Sequence, residues 1–205
     1  MAIKPILTFP NNLLRKRAMP IKEINQEVKE LIFDMKDTLR EASGVGLAAN
    51  QVGILKRVIV LNIPGPTEMQ AYINPEITNK YGVREVSEGC LSFPSYSGII
   101  NRSVKITARY LDEMGGKIKI TAEDLLSQAL EHEIDHLNGI LFIDHLKEHE
   151  KLIKSDPEYR PHTHDIDIAV EVVEENAKFN EKIYSKIKLD DLKEALSRAE
   201  ILKEV

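Results

Sequence analysis

His132 and His136 stand four residues apart, and Glu133 directly follows the first of them. On an α-helix, positions i and i+4 share a face, so two imidazoles at this spacing can bind one metal ion between them. A glutamate beside the first histidine can then accept a proton from water on that ion. The bland alternative is a pair of surface histidines on a charged helix. Apolar Leu125, Leu126, Ala129, Leu130 and Leu137 place the motif at the edge of a core instead, which predicts a metal site with Glu133 as its acid–base residue.

Such a site needs a third protein ligand. In one large metallopeptidase class this is a histidine six residues after the second motif histidine. Gly139 fits that pattern, but position 142 is Phe142. A downstream glutamate would have to be Glu148, Glu150 or Glu158, none of which stands in a second motif. The remaining candidate is Cys90, the only cysteine, within Glu88-Gly89-Cys90-Leu91-Ser92. A lone cysteine forms no internal disulfide, which leaves it as a small buried hydrophobe, a ligand or a nucleophile. One thiolate and two imidazoles leave a fourth position for water, the arrangement of a catalytic rather than a structural site.

The elements that must carry these residues read as α+β. Ile24, Val28, Leu31, Ile32, Met35 and Leu39 recur at helical spacing and predict a helix over residues 21–42, stopped by Ser43-Gly44. Residues 57–63 form an apolar run ended by Pro64-Gly65-Pro66. Residues 70–78 and 82–86 suit short strands, and 104–111 with 117–121 flank Met114-Gly115-Gly116 as a hairpin. A second helix is expected over 122–137, with Thr121 as N-cap, Glu123 and Asp124 in the first turn, and Asn138-Gly139 as terminator. The expectation is short antiparallel strands around a central helix that carries the histidine pair, with an N-terminal helix and a C-terminal helical tail.

Residues 1–150 read as the catalytic domain, and 151–205 as an acidic extension. From residue 150 onward the chain carries nearly all of the net charge of −5, with Pro157 and Pro161 marking a linker. Leu192, Leu196, Ala199 and Leu202 then lie on one stripe of a terminal helix. The charge balance and the absence of Trp argue against nucleic-acid binding. No stretch of 18 apolar residues suggests a membrane span, and the first residues lack the pattern of a secretory signal, so the expected location is the cytoplasm.

Three segments together resemble the bacterial peptide deformylases. Gly44-Val45-Gly46-Leu47-Ala48-Ala49-Asn50-Gln51 matches that family's glycine-rich motif, Glu88 to Ser92 its cysteine motif, and His132 to Gly139 its helix motif. The likeness covers roughly residues 5–147. It implies hydrolysis of the formyl amide of N-formylmethionyl peptides, with release of formate. It also implies one Fe²⁺ on Cys90, His132 and His136, replaceable by Zn²⁺, Ni²⁺ or Co²⁺ in preparations, although Cys-His-His ligation alone favours zinc. Glu133 would move the proton. The Gln51 amide and the Leu91 N–H would face the developing oxyanion, where such donors are typically worth about 2.7–4 kcal/mol each.

The substrate would meet Val45, Gly46, Glu88 and Gly89, with its methionine side chain near Leu125, Gln128 and Ala129. Gln128 departs from the apolar lining usual there, and Ser95 stands where many relatives have glycine. Glu88 and Arg102 correspond to a family ion pair that braces the cysteine loop. Asp135 either orients a ligand imidazole or is a solvated helix charge. His145 and His149 read as a solvated face, and His162 and His164 as linker residues. Relatives act on nascent chains at the ribosome, and some dock through a basic C-terminal helix, but this tail is acidic, so a transient ribosome contact stays open.

Two rivals remain. A zinc metallopeptidase would use a downstream glutamate or histidine ligand. A deformylase-like protein without turnover would have lost Glu133, Gln51 or Cys90, and all three are present.

Overall fold

In the computed structural model, residues 2–65, 68–146 and 152–154 are described. The first long helix, α1 (Gln26–Glu41), begins where the Asn25 side chain accepts from the Val28 N–H, the usual remedy for an orphan donor at a helix start. Helix is expected from residue 21, but the chain enters α1 later. The Ile21 N–H and carbonyl instead bond the Asn74 side chain at 2.8 and 2.7 Å, tying this segment to a strand.

Among the described residues eight strands follow: β1 (Gly46–Ala48), β2 (Val58–Leu61), β3 (Gln70–Tyr81), β4 (Arg84–Cys90), β5 (Phe93–Arg102), β6 (Lys105–Leu111), β7 (Lys117–Glu123) and β8 (Ile153–Lys154). Between β7 and β8 lies α2 (Asp124–Leu137). Strands β1-β2-β3-β6-β7 form one sheet and β4-β5-β8 a second. All their pairings are antiparallel, so the α+β expectation holds.

Strand β2 explains the apolar run at 57–63. Side chains alternate across a strand, so such a run is buried on both faces. Val58 and Val60 join Leu31, Met35 and Leu39 of α1 in one core. Ile59 and Leu61 join Leu130, Ile134 and Leu137 of α2 in another. The two helices therefore cover opposite faces of the five-stranded sheet.

A third core, with Leu14, Val86, Ile100, Phe142 and Leu146, underlies the smaller sheet. The face of α2 turned from the large sheet meets β4 and β5 through polar side chains. Gln128, His132 and Asp135 reach Ser87, Glu88 and Arg102 respectively.

The start of α2 differs from expectation. Thr121 is still in β7, paired with Thr107, and the strand runs to Glu123 opposite Lys105. Glu123 is the N-cap residue, and Asp124 makes the sharp strand-to-helix turn at φ +50°. The helix ends as expected. Gly139 has φ +76°, and a side chain there would run into the Arg15 backbone. The expected terminal helix, with His149, His162, His164, Glu148, Glu150 and Glu158, lies outside the described residues. No helix among the described residues is long and apolar enough to cross a membrane.

Candidate active site

Strand β4 delivers Cys90 to its C-terminal end, where Leu91 and Ser92 turn the chain into β5. The pairing shifts register there, from Gly89↔Ser97 to Cys90↔Phe93. That irregularity re-aims the cysteine towards α2. The Cys90 Sγ lies 3.2 Å from His136 Nε2, and the Ser92 N–H points at the sulfur at 3.4 Å. One ligand atom from each of Cys90, His132 and His136 falls within 4.8 Å of the other two. One thiol and two imidazoles that converge so closely could hold a single divalent ion.

The two imidazoles are held differently. His132 Nδ1 lies 2.7 Å from Glu88 Oε2, which leaves Nε2 for a cation or a proton. Glu88 also takes two bonds from Arg102, Nε at 2.8 Å and Nη2 at 3.0 Å. Burial opposes ionisation of Glu88, yet the hydrogen bonds from His132 and Arg102 hold its carboxyl down at about 2. Burial likewise opposes charge on His132, and here the hydrogen bonds with Cys90 and Glu88 win and raise its pKa well above the ordinary histidine value. His136 goes the other way. It is fully buried, and burial followed by repulsion from His132 keeps its ring neutral, the form a metal requires.

Glu133 sits beside these groups with 4% of its surface exposed. Its Oε2 has no hydrogen-bond partner among the described residues. Burial, the largest influence, pushes its carboxyl from the usual 4.5 up to about 7. An acid–base group is most effective with a pKa near the working pH. The backbone of β1 passes directly over this carboxylate at Gly46, where a side chain would collide with it.

After β1, a 3₁₀ turn (Ala49–Val52) carries Gln51, which is 1% exposed. Its Oε1 accepts from the Ala48 N–H at 2.7 Å, which fixes the amide orientation and aims Nε2 into the site. Nε2 donates to Ser92 Oγ at 3.1 Å and lies 3.6 Å from the Cys90 sulfur.

A cavity of about 550 Å³ opens over this group. Val45, Gly46, Gly89, Leu125, Gln128 and Ala129, all expected at the substrate, line it. Glu88, Leu91, Gln51 and Glu133 also border it. Glu88 spends its carboxylate on Arg102 and His132. Gln128 does not turn freely into the cavity; its amide donates to the Ser87 carbonyl at 3.1 Å and staples α2 to β4.

Phe93, Pro94 and Tyr96, for which the sequence carries no signal of a role, form another wall. Ser92, which lies within the cysteine motif, is a further site residue with no expected role. Asp135 reaches no ligand imidazole directly. Its Oδ2 accepts from Arg102 Nη1 at 2.6 Å and lies 2.8 Å from His145 Nε2. His145 is thus no residue of a plain solvated face, because it closes a 3₁₀ turn (Phe142–His145) rather than riding a continuing helix.

Known proteins resemble this chain in sequence and fold. A family model described as polypeptide deformylase matches residues 3–152. A peptide deformylase of Dehalococcoides mccartyi (strain CBDB1) is 43% identical over 158 residues, 77% of this chain and 95% of that protein. A crystal structure of a peptide deformylase from Legionella pneumophila superposes with a TM-score of 0.69 at 44% identity, covering 71% of this chain and 87% of that one. The peptide deformylase from Synechococcus elongatus, solved in complex with actinonin, gives 0.67 at 35% identity over 71% of this chain and 81% of its own.

Proposed function

The chain belongs to the polypeptide deformylase family, enzymes that remove the N-formyl group from new polypeptides, and from that footing we propose how its own residues divide the work. Cys90, His132 and His136 hold one divalent ion, and the observation that carries this reading is the convergence of their three ligand atoms within 4.8 Å. When bound, that ion supplies Lewis acidity, which makes water a nucleophile near neutral pH and polarises a carbonyl oxygen. The family likeness favours Fe²⁺. The donor set accepts Zn²⁺, Ni²⁺ or Co²⁺ as well, so exchange during preparation follows from the ligands themselves.

Glu133 takes a proton from the attacking water and delivers it to the amine that leaves as the formyl carbon–nitrogen bond breaks. Its buried Oε2 suits that task, since no hydrogen-bond partner among the described residues competes for the proton. The Gln51 Nε2–H and the Leu91 N–H face the oxygen on which negative charge develops. The bond from the Ala48 N–H pre-orients Gln51 for this, so little reorganisation accompanies the reaction.

Val45, Gly46 and Gly89 line the peptide's path, and Leu125 with Ala129 meets the methionine side chain. Gln128 makes the rim of that pocket polar while its amide is occupied by Ser87. The products are formate and a peptide with a free N-terminus.

The test is formate release from formyl-Met-Ala-Ser by anaerobically purified, iron-loaded protein, with Glu133→Ala as control. Loss of a positioned acid–base group is expected to slow release by about 10²–10⁴-fold. Equal release by the variant would refute the assignment of Glu133.

A further inference from the structure

We propose that His145 is a positioning residue for His132, acting through Asp135, Arg102 and Glu88. This rests on the reading of His132 as a metal ligand. The four contacts form an unbroken relay: His145 Nε2 to Asp135 Oδ2 at 2.8 Å, Asp135 Oδ2 to Arg102 Nη1 at 2.6 Å, Arg102 to both Glu88 oxygens, and Glu88 Oε2 to His132 Nδ1 at 2.7 Å. An ionised carboxylate only accepts, so His145 carries its proton on Nε2 and donates it to Asp135. The approach of Arg102 Nη1 to His145 Nε2 at 3.4 Å is then two donors sharing one acceptor.

Asp135 Oδ2 receives both bonds. With His145 in place the carboxylate is fixed, and it draws the Arg102 guanidinium into the plane from which it grips Glu88. The inner part of the relay is dry, with 2% exposure for the Arg102 side chain and 3% for that of Glu88, whereas the His145 side chain keeps 34%. His145 is thus the solvent-facing end of a chain whose other end is a ligand.

The turn that holds it supplies a second, independent contact. Phe142 of the same turn stacks on the His132 ring, with centroids 6.4 Å apart and planes inclined by 24°. The turn itself is pinned by the ion pair of Arg15 with Asp144 and by the Leu141 N–H on Asp144 at 2.8 Å. One four-residue turn therefore sets His132 from its face, through Phe142, and from its Nδ1 edge, through His145.

The experiment measures cobalt affinity of the full-length metal-free protein by competition with a chelator, alongside thermal unfolding of each metal-free variant. His145→Ala and His145→Phe remove the donor with opposite changes in volume, and each is expected to weaken cobalt binding about tenfold. His145→Gln keeps a donor at similar reach and is expected to stay within about twofold of the parent. Unchanged affinity in the Ala and Phe variants, whatever their melting temperatures, overturns the proposal. So does a Gln variant as weak as the Phe variant. His132→Ala separates the two levels of argument: if it binds cobalt like the parent, the ligand reading itself has failed.

Discussion

The Glu133 carboxylate lies against Gly46 so closely that a β-carbon on that glycine would sit 2.8 Å from Glu133 Cδ. Glycine is needed here for space, since it lets the β1 backbone pass over the carboxylate. Gly46→Ala is therefore expected to displace Glu133 and to lower kcat/KM for a formylated peptide by about 100-fold, the penalty typical of a reacting group moved by an ångström. The melting temperature should fall by no more than about 4 °C, because only one contact at a sheet edge is disturbed. Parental activity in the alanine variant would show that Glu133 has another position from which to work.

Arg102 holds two carboxylates, Glu88 and Asp135, in a nearly dry pocket. Burial opposes its charge, but both carboxylates stabilise it and raise its pKa. Arg102→Met leaves both acids without their cation, and a broken buried pair typically costs about 3–5 kcal/mol. Denaturant unfolding of the metal-free protein measures this. A loss below about 1 kcal/mol would mean that the three side chains behave as an ordinary surface ion pair.

Ser95, on the cavity wall, has φ +66°. A β-carbon is strained in this left-handed region by roughly 1–2 kcal/mol, and glycine is not. Ser95→Gly is expected to stabilise the fold by about 1 kcal/mol, and the branched Ser95→Val to destabilise it by more than that. Urea midpoints of the three proteins give the order; a less stable glycine variant would contradict it.

Tyr72, on β3 of the large sheet, is 3% exposed. Burial, then the neighbouring Tyr110, pushes its phenol from 10 to about 12. Raised this way, the neutral phenol stabilises the fold fully below pH 10, and that contribution disappears as pH climbs through about 12. Ultraviolet titration of the folded protein should show a late phenolate absorbance that Tyr72→Phe removes. Simultaneous ionisation of all six tyrosines near pH 10 would exclude the shift.

Those residues whose placement follows from local spacing were legible in the sequence. The i, i+4 histidines and the adjacent glutamate lie on α2 as expected, and Asn138-Gly139 stops that helix. The alternating demands on Val58 to Leu61 were visible as an apolar run, though not which helix each face would meet.

Strand β5 (Phe93–Arg102) is not among the expected strands, and its sequence carries Pro94 and Gly98, residues that weaken a strand pattern. Pro94 lies beside the register shift next to Cys90, where the ladder is already interrupted. At Gly98 a side chain would press on Leu146. Thr121 attracted the helix cap by its type, but pairing with Thr107 kept it in the sheet. The relay from His145 to His132 joins five residues spread from position 88 to 145 through four tertiary contacts. No local pattern encodes such a meeting.

The pairing of Ile153 and Lys154 with Ser97 and Tyr96 also has a meaning in the order of synthesis. A chain made from its N-terminus presents Cys90, His132 and His136 well before the segment that covers the outer edge of β5 exists. Until residue 154 emerges, that edge offers unpaired backbone groups to any neighbouring strand. The two-residue strand β8, which pairs with that edge at Tyr96 and Ser97, is thus the last described element of the fold to be made.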